Sequence, residues 1–372
     1  MTNLKSQISP VLLGKTLPEL QEVAQSVGLQ KFAGKQLAEW LYVRRVRSFD
    51  EMTNISLKGR EALKAQYIIG RHAPVREAVS ADGTRKYLFE VPNHPSPFSP
   101  SERGAGGVYI ESVYIPEEDR ATLCVSTQTG CKMGCRFCMT GTLGFHGNLP
   151  ASEILNQLFE IDAMAAGKGL SPLTNLVYMG EGEPMDNLDE VLRSLEIMTA
   201  AYGCAWSPRR ITVSTVGIPA MKRFLDESEC HLAVSMHNPF AAEREQIMPA
   251  QKAMSITDVV TLLKRYDWSR QRRVSFEYIC WAGQNDTPRH AKELLRLLKG
   301  LPCRINLIRF HEGVEEVATT ALESRRFPAS DEHRMEWLRD YLTANGITTT
   351  IRRSRGEDIL AACGMLVNSL TR

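Results

Sequence analysis

The sequence has no run approaching eighteen consecutive apolar residues, so a membrane-spanning helix is not expected. It also has almost no net charge: 45 basic side chains against 43 acidic ones leave +2, which excludes a histone-like polycation and leaves room only for a local basic face. A secretory leader is not expected either, because polar residues break the only apolar patch in the first twenty positions. Cysteines number nine, an odd count without a leader. That argues for a reducing cytoplasm in which thiols act as ligands, nucleophiles or buried apolar groups, and against a disulfide scaffold. What is present is ample for a core: 372 residues, 43% of them apolar, suit one large α/β domain with a smaller one.

From residue 16 to 63 apolar positions recur at helical spacing, as in Leu20, Val23 and Ala24, then Leu37, Trp40, Leu41 and Val43. Nine basic residues face four acidic ones between Lys31 and Arg71, a local excess of +5. Such a face is either merely solvated or suited to a phosphate backbone. Two strand-like segments follow, KYLFEV (86–91) and VYIESVYI (108–115), separated by a Pro/Ser/Gly-rich stretch at 92–107 that reads as an exposed loop. Beyond Leu123 strands alternate with helices: LCVST, NLVYMG, RITVST, LAVSMH, VSFEYI, RINLIRF and TTTIRR, with helices expected at 152–166, 188–201, 256–266, 288–298 and 331–345. This alternation implies a parallel sheet, either a full or partial barrel or a flat doubly wound sheet.

The most specific local signal is CKMGCRFC, which sets Cys131, Cys135 and Cys138 in a loop after the first of these strands. Three thiolates at spacings of four and three residues suit three irons of a cubane cluster with the fourth left open. A zinc site completed by Cys124 or His146 is the alternative, although paired CxxC knuckles would be more usual there. At the end of the second strand, GEGEP (180–184) brings glycines that let the backbone approach a ligand, and Glu183, an acceptor for an ammonium group. Ser214 ends the third strand, and Ser235, Met236 and His237 end the fourth, so these loops converge on the face where barrels bind their ligands. Cys204, Cys230, Cys280 and Cys303 read as core residues, whereas Cys124 lies on the first strand and Cys363 follows a run of Arg352, Arg353 and Arg355 that suits a thiolate or a phosphate.

CxxxCxxC with Phe137 before its last cysteine resembles the cluster motif of radical S-adenosylmethionine (SAM) enzymes. The strings PEEDRATLCVSTQTGCKMGCRFC, MGEGEP, RRITVSTVGIP, LAVSMH, INLI and RGEDILAACG, with FAGKQLAEWLY and FDEMTNIS nearer the start, closely resemble the RlmN/Cfr family of RNA methyltransferases over nearly the whole chain. The resemblance implies a partial (β/α)6 radical SAM barrel over 117–372, a small helical RNA-binding accessory domain over 1–75 and a β-hairpin linker over 76–116. It implies a [4Fe-4S] cluster on Cys131, Cys135 and Cys138, and SAM, two per turnover, contacted by Gly182, Glu183, Ser214, Ser235, Met236 and His237. Cys363 is then the cysteine that is itself methylated, Cys124 the thiol that resolves a protein–RNA crosslink, and Glu111 the proton acceptor.

The implied reaction is methylation of adenine C2 in 23S rRNA and in the anticodon loop of tRNAs, with electrons from a donor such as flavodoxin or ferredoxin, in the cytoplasm and without a membrane. Adenine C2 is not nucleophilic, so a methyl group cannot simply be donated to it, and a radical route answers this. C8 methylation of the same rRNA adenine, as in the Cfr branch, is the neighbouring reading. A non-catalytic, metal-stabilised RNA-binding protein is a third, and it gives Cys124 and Cys363 no role. Two positions depart from the family pattern: His311, expected as a further SAM contact because imidazole can also donate, stands where an asparagine is usual, and the 92–107 loop is long.

Overall fold

The computed structural model describes residues 9–91, 108–269, 273–311 and 327–366; the 92–107 loop lies outside them. The chain divides into two compact units. One comprises 1–73, 149–169 and 189–207, and the other 74–148, 170–188 and 208–372. Two helices from the region expected to be barrel group with the N-terminal helices.

The first unit is helical. Its elements are α1 (Leu17–Ser26), α2 (Ala33–Ala38), α3 (Leu57–Gln66), α4 (Ala151–Gly167) and most of α5 (Leu188–Thr199). Thr16 precedes α1, and its N–H donates to Glu19 at 2.7 Å, satisfying a donor that helix geometry leaves open. Leu20, Val23, Leu37, Leu41, Leu63, Leu155 and Phe159 form its core. The basic excess is largely consumed inside this unit. Arg71 is buried and donates to Glu160 at 2.8 Å, Arg47 reaches the same carboxylate, and Arg45 pairs with Asp162. Arg44 pairs with Glu39, and Lys64 with Asp50 and Glu61. Lys31, Lys35 and Lys58 remain exposed.

The second unit is built on a ten-stranded sheet. Its strands are β1 (Arg76–Val79), β2 (Arg85–Glu90), β3 (Tyr109–Pro116), β4 (Ala121–Cys124), β7 (Leu173–Tyr178), β8 (Ile211–Thr215), β9 (His231–Ser235), β10 (Val274–Cys280), β11 (Cys303–Arg309) and β12 (Thr348–Ile351), in that spatial order. A two-stranded hairpin, β5 (Gln128–Gly130) with β6 (Phe145–Asn148), frames the cysteine loop. The first three strands pair antiparallel, and β3 is antiparallel to β4. From β4 through β12 all pairings are parallel. Among the described residues β1 and β12 are the edges, so hydrogen bonding does not close the sheet. The helices of this unit are α6 (Met221–Glu227), α7 (Ala241–Ile247), α8 (Ile256–Arg265), α9 (Pro288–Leu298) and α10 (Glu332–Ala344). Ser255 and Asp331 cap α8 and α10 by accepting from Asp258 and Arg334 N–H groups, and Pro288 begins α9 where no amide donor is required.

The strands alternate in a way that creates a cavity. Val213, Leu232, Val234, Phe276, Tyr278, Ile305 and Leu307 are fully buried. The intervening Thr212, Ser214, His231, Ser235, Glu277, Arg304 and Ile308 line internal cavities. Residues from β4, β7, β8, β9 and β11 share one cavity, which requires the parallel sheet to curl as a partial barrel. The lumen therefore carries several polar and charged side chains, unlike the apolar packed interior of a closed barrel.

Candidate active site

Two cavities meet inside the second unit. The smaller, about 140 Å³, is lined by Cys131, Cys135, Cys138, Gly182, Glu183, Ser214, Ser235, His237 and Cys363. The larger, about 1150 Å³, is lined by Cys124, Cys138, Cys363 and many arginines. Cys138, Thr140, Met179, Ile308, Arg352 and Cys363 belong to both walls. Nine of the thirteen expected site residues line the small cavity, and Cys124 lines the large one.

Hydrogen bonds to carbonyls of its own segment hold Cys363 there. The Gly364 carbonyl accepts from Met139 N–H at 2.7 Å, and the Leu366 carbonyl accepts from the Thr140 hydroxyl at 3.2 Å. The C-terminal segment is thus tied to the residues directly after Cys138. Cys363 is exposed to the cavities; desolvation by the surrounding protein pushes its thiol up, and the Arg352 guanidinium pulls it down. Cys124 is pushed up more strongly, by burial and by the neighbouring Cys363, with Arg352 again opposing.

The three cysteines of the CxxxCxxC loop are all raised by burial, Cys131 to about 12, and each of Cys131 and Cys135 is further raised by the charge of Cys138. Among the described residues no three His, Cys, Asp or Glu side chains are placed to hold a single ion. In a cubane each thiolate binds a different iron, and a cationic multi-iron group relieves the mutual repulsion of three partly buried thiolates. The donor set fits that group.

GEGEP leaves β7 through a tight turn. Gly182 has φ +92°, and a Cβ there would lie 2.4 Å from the Gln128 side chain. Gln128 Oε1 accepts from Glu183 N–H at 2.8 Å. The Glu183 carboxylate accepts from Met185 N–H at 3.0 Å and Val216 N–H at 2.9 Å, yet burial lifts it to about 7. His237 adopts φ +55°, a strained conformation for a non-glycine residue. Its Nδ1 accepts from Ile279 N–H at 3.0 Å, which leaves the proton on Nε2, and its ring meets Phe137 edge-on at 4.7 Å. Burial, reinforced by Arg244, lowers His237 to about 3, so this imidazole is neutral.

Three expected residues stand elsewhere. Met236 is buried, and its carbonyl accepts from Arg244. Glu111 is buried in β3, bound to Lys86 Nζ at 2.9 Å, and lines neither cavity. His311 lines the large cavity, with Nε2 against the Ser354 hydroxyl and Nδ1 at 3.3 Å from Glu357.

Sequence reasoning missed three features. Arg209, Arg210, Arg273, Arg304 and Arg309 join Arg352, Arg353 and Arg355 around the large cavity. Arg244, fully buried, donates to the carbonyls of Val216, Ser235 and Met236. Glu277, also buried, lines the small cavity. Alternation along VSFEYI would have turned Glu277 inward with Ser275; nothing in the sequence distinguishes Arg244 from a surface arginine.

Residues 11–69 match the family model for the ribosomal RNA large subunit methyltransferase N-terminal domain, and residues 125–298 match that of the radical SAM superfamily. A probable dual-specificity RNA methyltransferase RlmN of Phocaeicola vulgatus is 53% identical over 356 residues, covering 95% of this chain and 94% of that protein. The dual-specificity RNA methyltransferase RlmN of Syntrophobacter fumaroxidans is 38% identical, covering 95% of this chain and 96% of its own length. Among solved structures, a radical SAM methyltransferase from Sphaerobacter thermophilus superposes with a TM-score of 0.84 at 35% identity, over 97% of this chain and all of that one.

Proposed function

We propose, from the premise that the chain belongs to the RlmN family of radical SAM methyltransferases, that it is a dual-specificity RNA methyltransferase acting on rRNA and tRNA, and that its target is adenine C2. The observation that carries this reading is the position of Cys363, on the wall shared by a small cavity of cluster and SAM residues and a large, arginine-lined one. A sulfur there can receive a group from one side and deliver it to the other.

Cys131, Cys135 and Cys138 would hold a [4Fe-4S] cluster, which when bound supplies the electron that cleaves SAM to a deoxyadenosyl radical. The electron comes from a donor of the flavodoxin or ferredoxin kind, and one turnover uses two SAM molecules. Cys363 Sγ takes a methyl group from the first SAM, with Arg352 favouring the thiolate that attacks. The deoxyadenosyl radical would take a hydrogen atom from the Cys363 S-methyl group, and the methylene carbon would bond to C2, the adduct returning one electron to the cluster. Once C2 has lost its proton, Cys124 attacks Cys363 Sγ, forming a disulfide as the carbon–sulfur bond breaks and the released carbon takes up a proton. Glu111, paired with Lys86, is the proton acceptor assigned to the C2 hydrogen; reaching a bound base requires movement of β3 or of the Lys86 side chain. The large cavity exceeds one nucleotide, and its arginines suit phosphates flanking an adenine turned out of its stack. Among the described residues no helix is long and apolar enough to cross a membrane.

The two thiols are tested by their asymmetry. Cys124→Ala is expected to accumulate protein covalently attached to RNA, visible as a nuclease-sensitive shift on denaturing gels. Cys363→Ala is expected to form no such species. Methylation of RNA by Cys363→Ala at more than background would sink the mechanism.

A further inference from the structure

Glu277 sits midway along β10 and is only 4% exposed. Strand register sets it beside Ser235 on β9 and Asn306 on β11. Asn306 Nδ2 donates to its Oε1 at 2.8 Å, and Thr350 donates to Asn306 Oδ1 at 2.9 Å, so a polar row fixes one carboxylate oxygen. The other, Oε2, is buried and accepts no hydrogen bond. Its nearest cation, Arg352 Nε, is 3.6 Å away, beyond hydrogen-bond range. A buried carboxylate oxygen without a donor is costly, and folded proteins rarely keep one without a ligand or water to answer it. The residue lines the small cavity with Ser214, Ser235 and His237.

We propose that Glu277 is a further SAM contact, its Oε2 accepting a hydrogen bond from a ribose hydroxyl. The inference rests on the reading of the small cavity as the SAM site. The register separates two rows of that wall. Ser235 and Glu277, the latter held from behind by Asn306, form a polar row suited to the sugar diol, and Ile279 opposite Ile308, nearer the strand ends, forms an apolar row suited to a purine face. A carboxylate with one oxygen already held by Asn306 is pre-oriented, so the second accepts a hydroxyl without further ordering.

The test is equilibrium dialysis of the anaerobically reconstituted full chain, without reductant, against SAM and its 2′-deoxy and 3′-deoxy analogues. Wild type is expected to bind SAM about tenfold more tightly than at least one deoxy analogue, the usual weight of a charge-assisted hydrogen bond. Glu277→Leu should bind SAM about tenfold more weakly and no longer distinguish it from that analogue. Glu277→Gln, which keeps an acceptor and the shape, should fall between. Unchanged SAM affinity in Glu277→Gln and Glu277→Leu overturns the assignment, as does an equal loss toward all three compounds. So does a variant that binds SAM normally but has a raised KM for RNA, since the oxygen would then face the RNA base. If wild type itself does not bind SAM, the reading of the small cavity falls with it; if wild type discriminates and the variants discriminate equally, only the role of Glu277 falls.

Discussion

Arg244 offers a direct check on how the strand ends beside the small cavity are held. Its side chain is fully buried and makes four hydrogen bonds: Nε to Met236 O at 3.0 Å, Nη1 to Gln251 Oε1 at 2.9 Å, and Nη2 to Val216 O at 2.6 Å and Ser235 O at 2.8 Å. Burial lowers the guanidinium to about 10, with Cys135 opposing, so it remains charged at neutral pH. Methionine fills similar volume but leaves three carbonyls and an amide oxygen without this donor. Each such loss costs about 1–3 kcal/mol, partly offset because a buried charge is removed as well. A net loss of about 4 kcal/mol follows for Arg244→Met, and about half that for Arg244→Lys, which keeps a charge but not the planar fork. For a unit of this size the methionine variant should melt roughly 10 °C lower. Urea unfolding followed by circular dichroism on metal-free protein measures this, with the denaturant slope checked for constancy. A loss below about 1 kcal/mol at unchanged slope would show that other contacts hold the ends of β8 and β9.

Cys131→Ala, Cys135→Ala and Cys138→Ala are each expected to abolish the brown colour of anaerobically reconstituted protein, which should otherwise contain about four irons and four sulfides per chain; stoichiometric zinc without iron would refute the cluster. The pH dependence of stability should carry a histidine signature. His231 is lowered to about 4 by burial and by Arg304, Arg273 and Arg352, and His237 to about 3. In the unfolded chain both take up protons near pH 6.5, so stability is fully present above that pH and drains as pH falls toward 4, by up to about 3 kcal/mol for His231. His231→Asn should reduce that slope by about one proton; an unchanged slope between pH 6.5 and 4 would contradict the assignment.

The parallel strands were legible because each carries apolar residues long enough to show alternation: NLVYMG, RITVST, VSFEYI and RINLIRF fall on β7, β8, β10 and β11, and the helix expected at 288–298 is α9. The shortest elements were not. β1 and the β5–β6 hairpin have three or four residues each, too few for a period, and α6 and α7 have seven. Local sequence also cannot show which charges are consumed by distant partners. The basic residues Arg45, Arg47 and Arg71 look like a nucleic-acid face until Glu160 and Asp162, about ninety residues or more along the chain, neutralise them. The converse holds in the barrel, where Arg209, Arg210, Arg273, Arg304 and Arg309 are scattered through the sequence and only the curl of the sheet gathers them around one cavity. Glu111 was named from resemblance alone, and its pairing with Lys86 depends on β2 and β3 lying side by side.

The central claim is that this chain methylates adenine at C2. The most direct measurement is to digest RNA from a host strain lacking its own C2 methyltransferase, with and without this protein, and to identify the methyladenosines by chromatography and mass spectrometry. 2-Methyladenosine is expected in 23S rRNA and in the anticodon loop of tRNAs only when the protein is present, and lost again with Cys363→Ala. Recovery of 8-methyladenosine as the main product, or of no new methyladenosine from cells holding the iron-loaded protein, would contradict it.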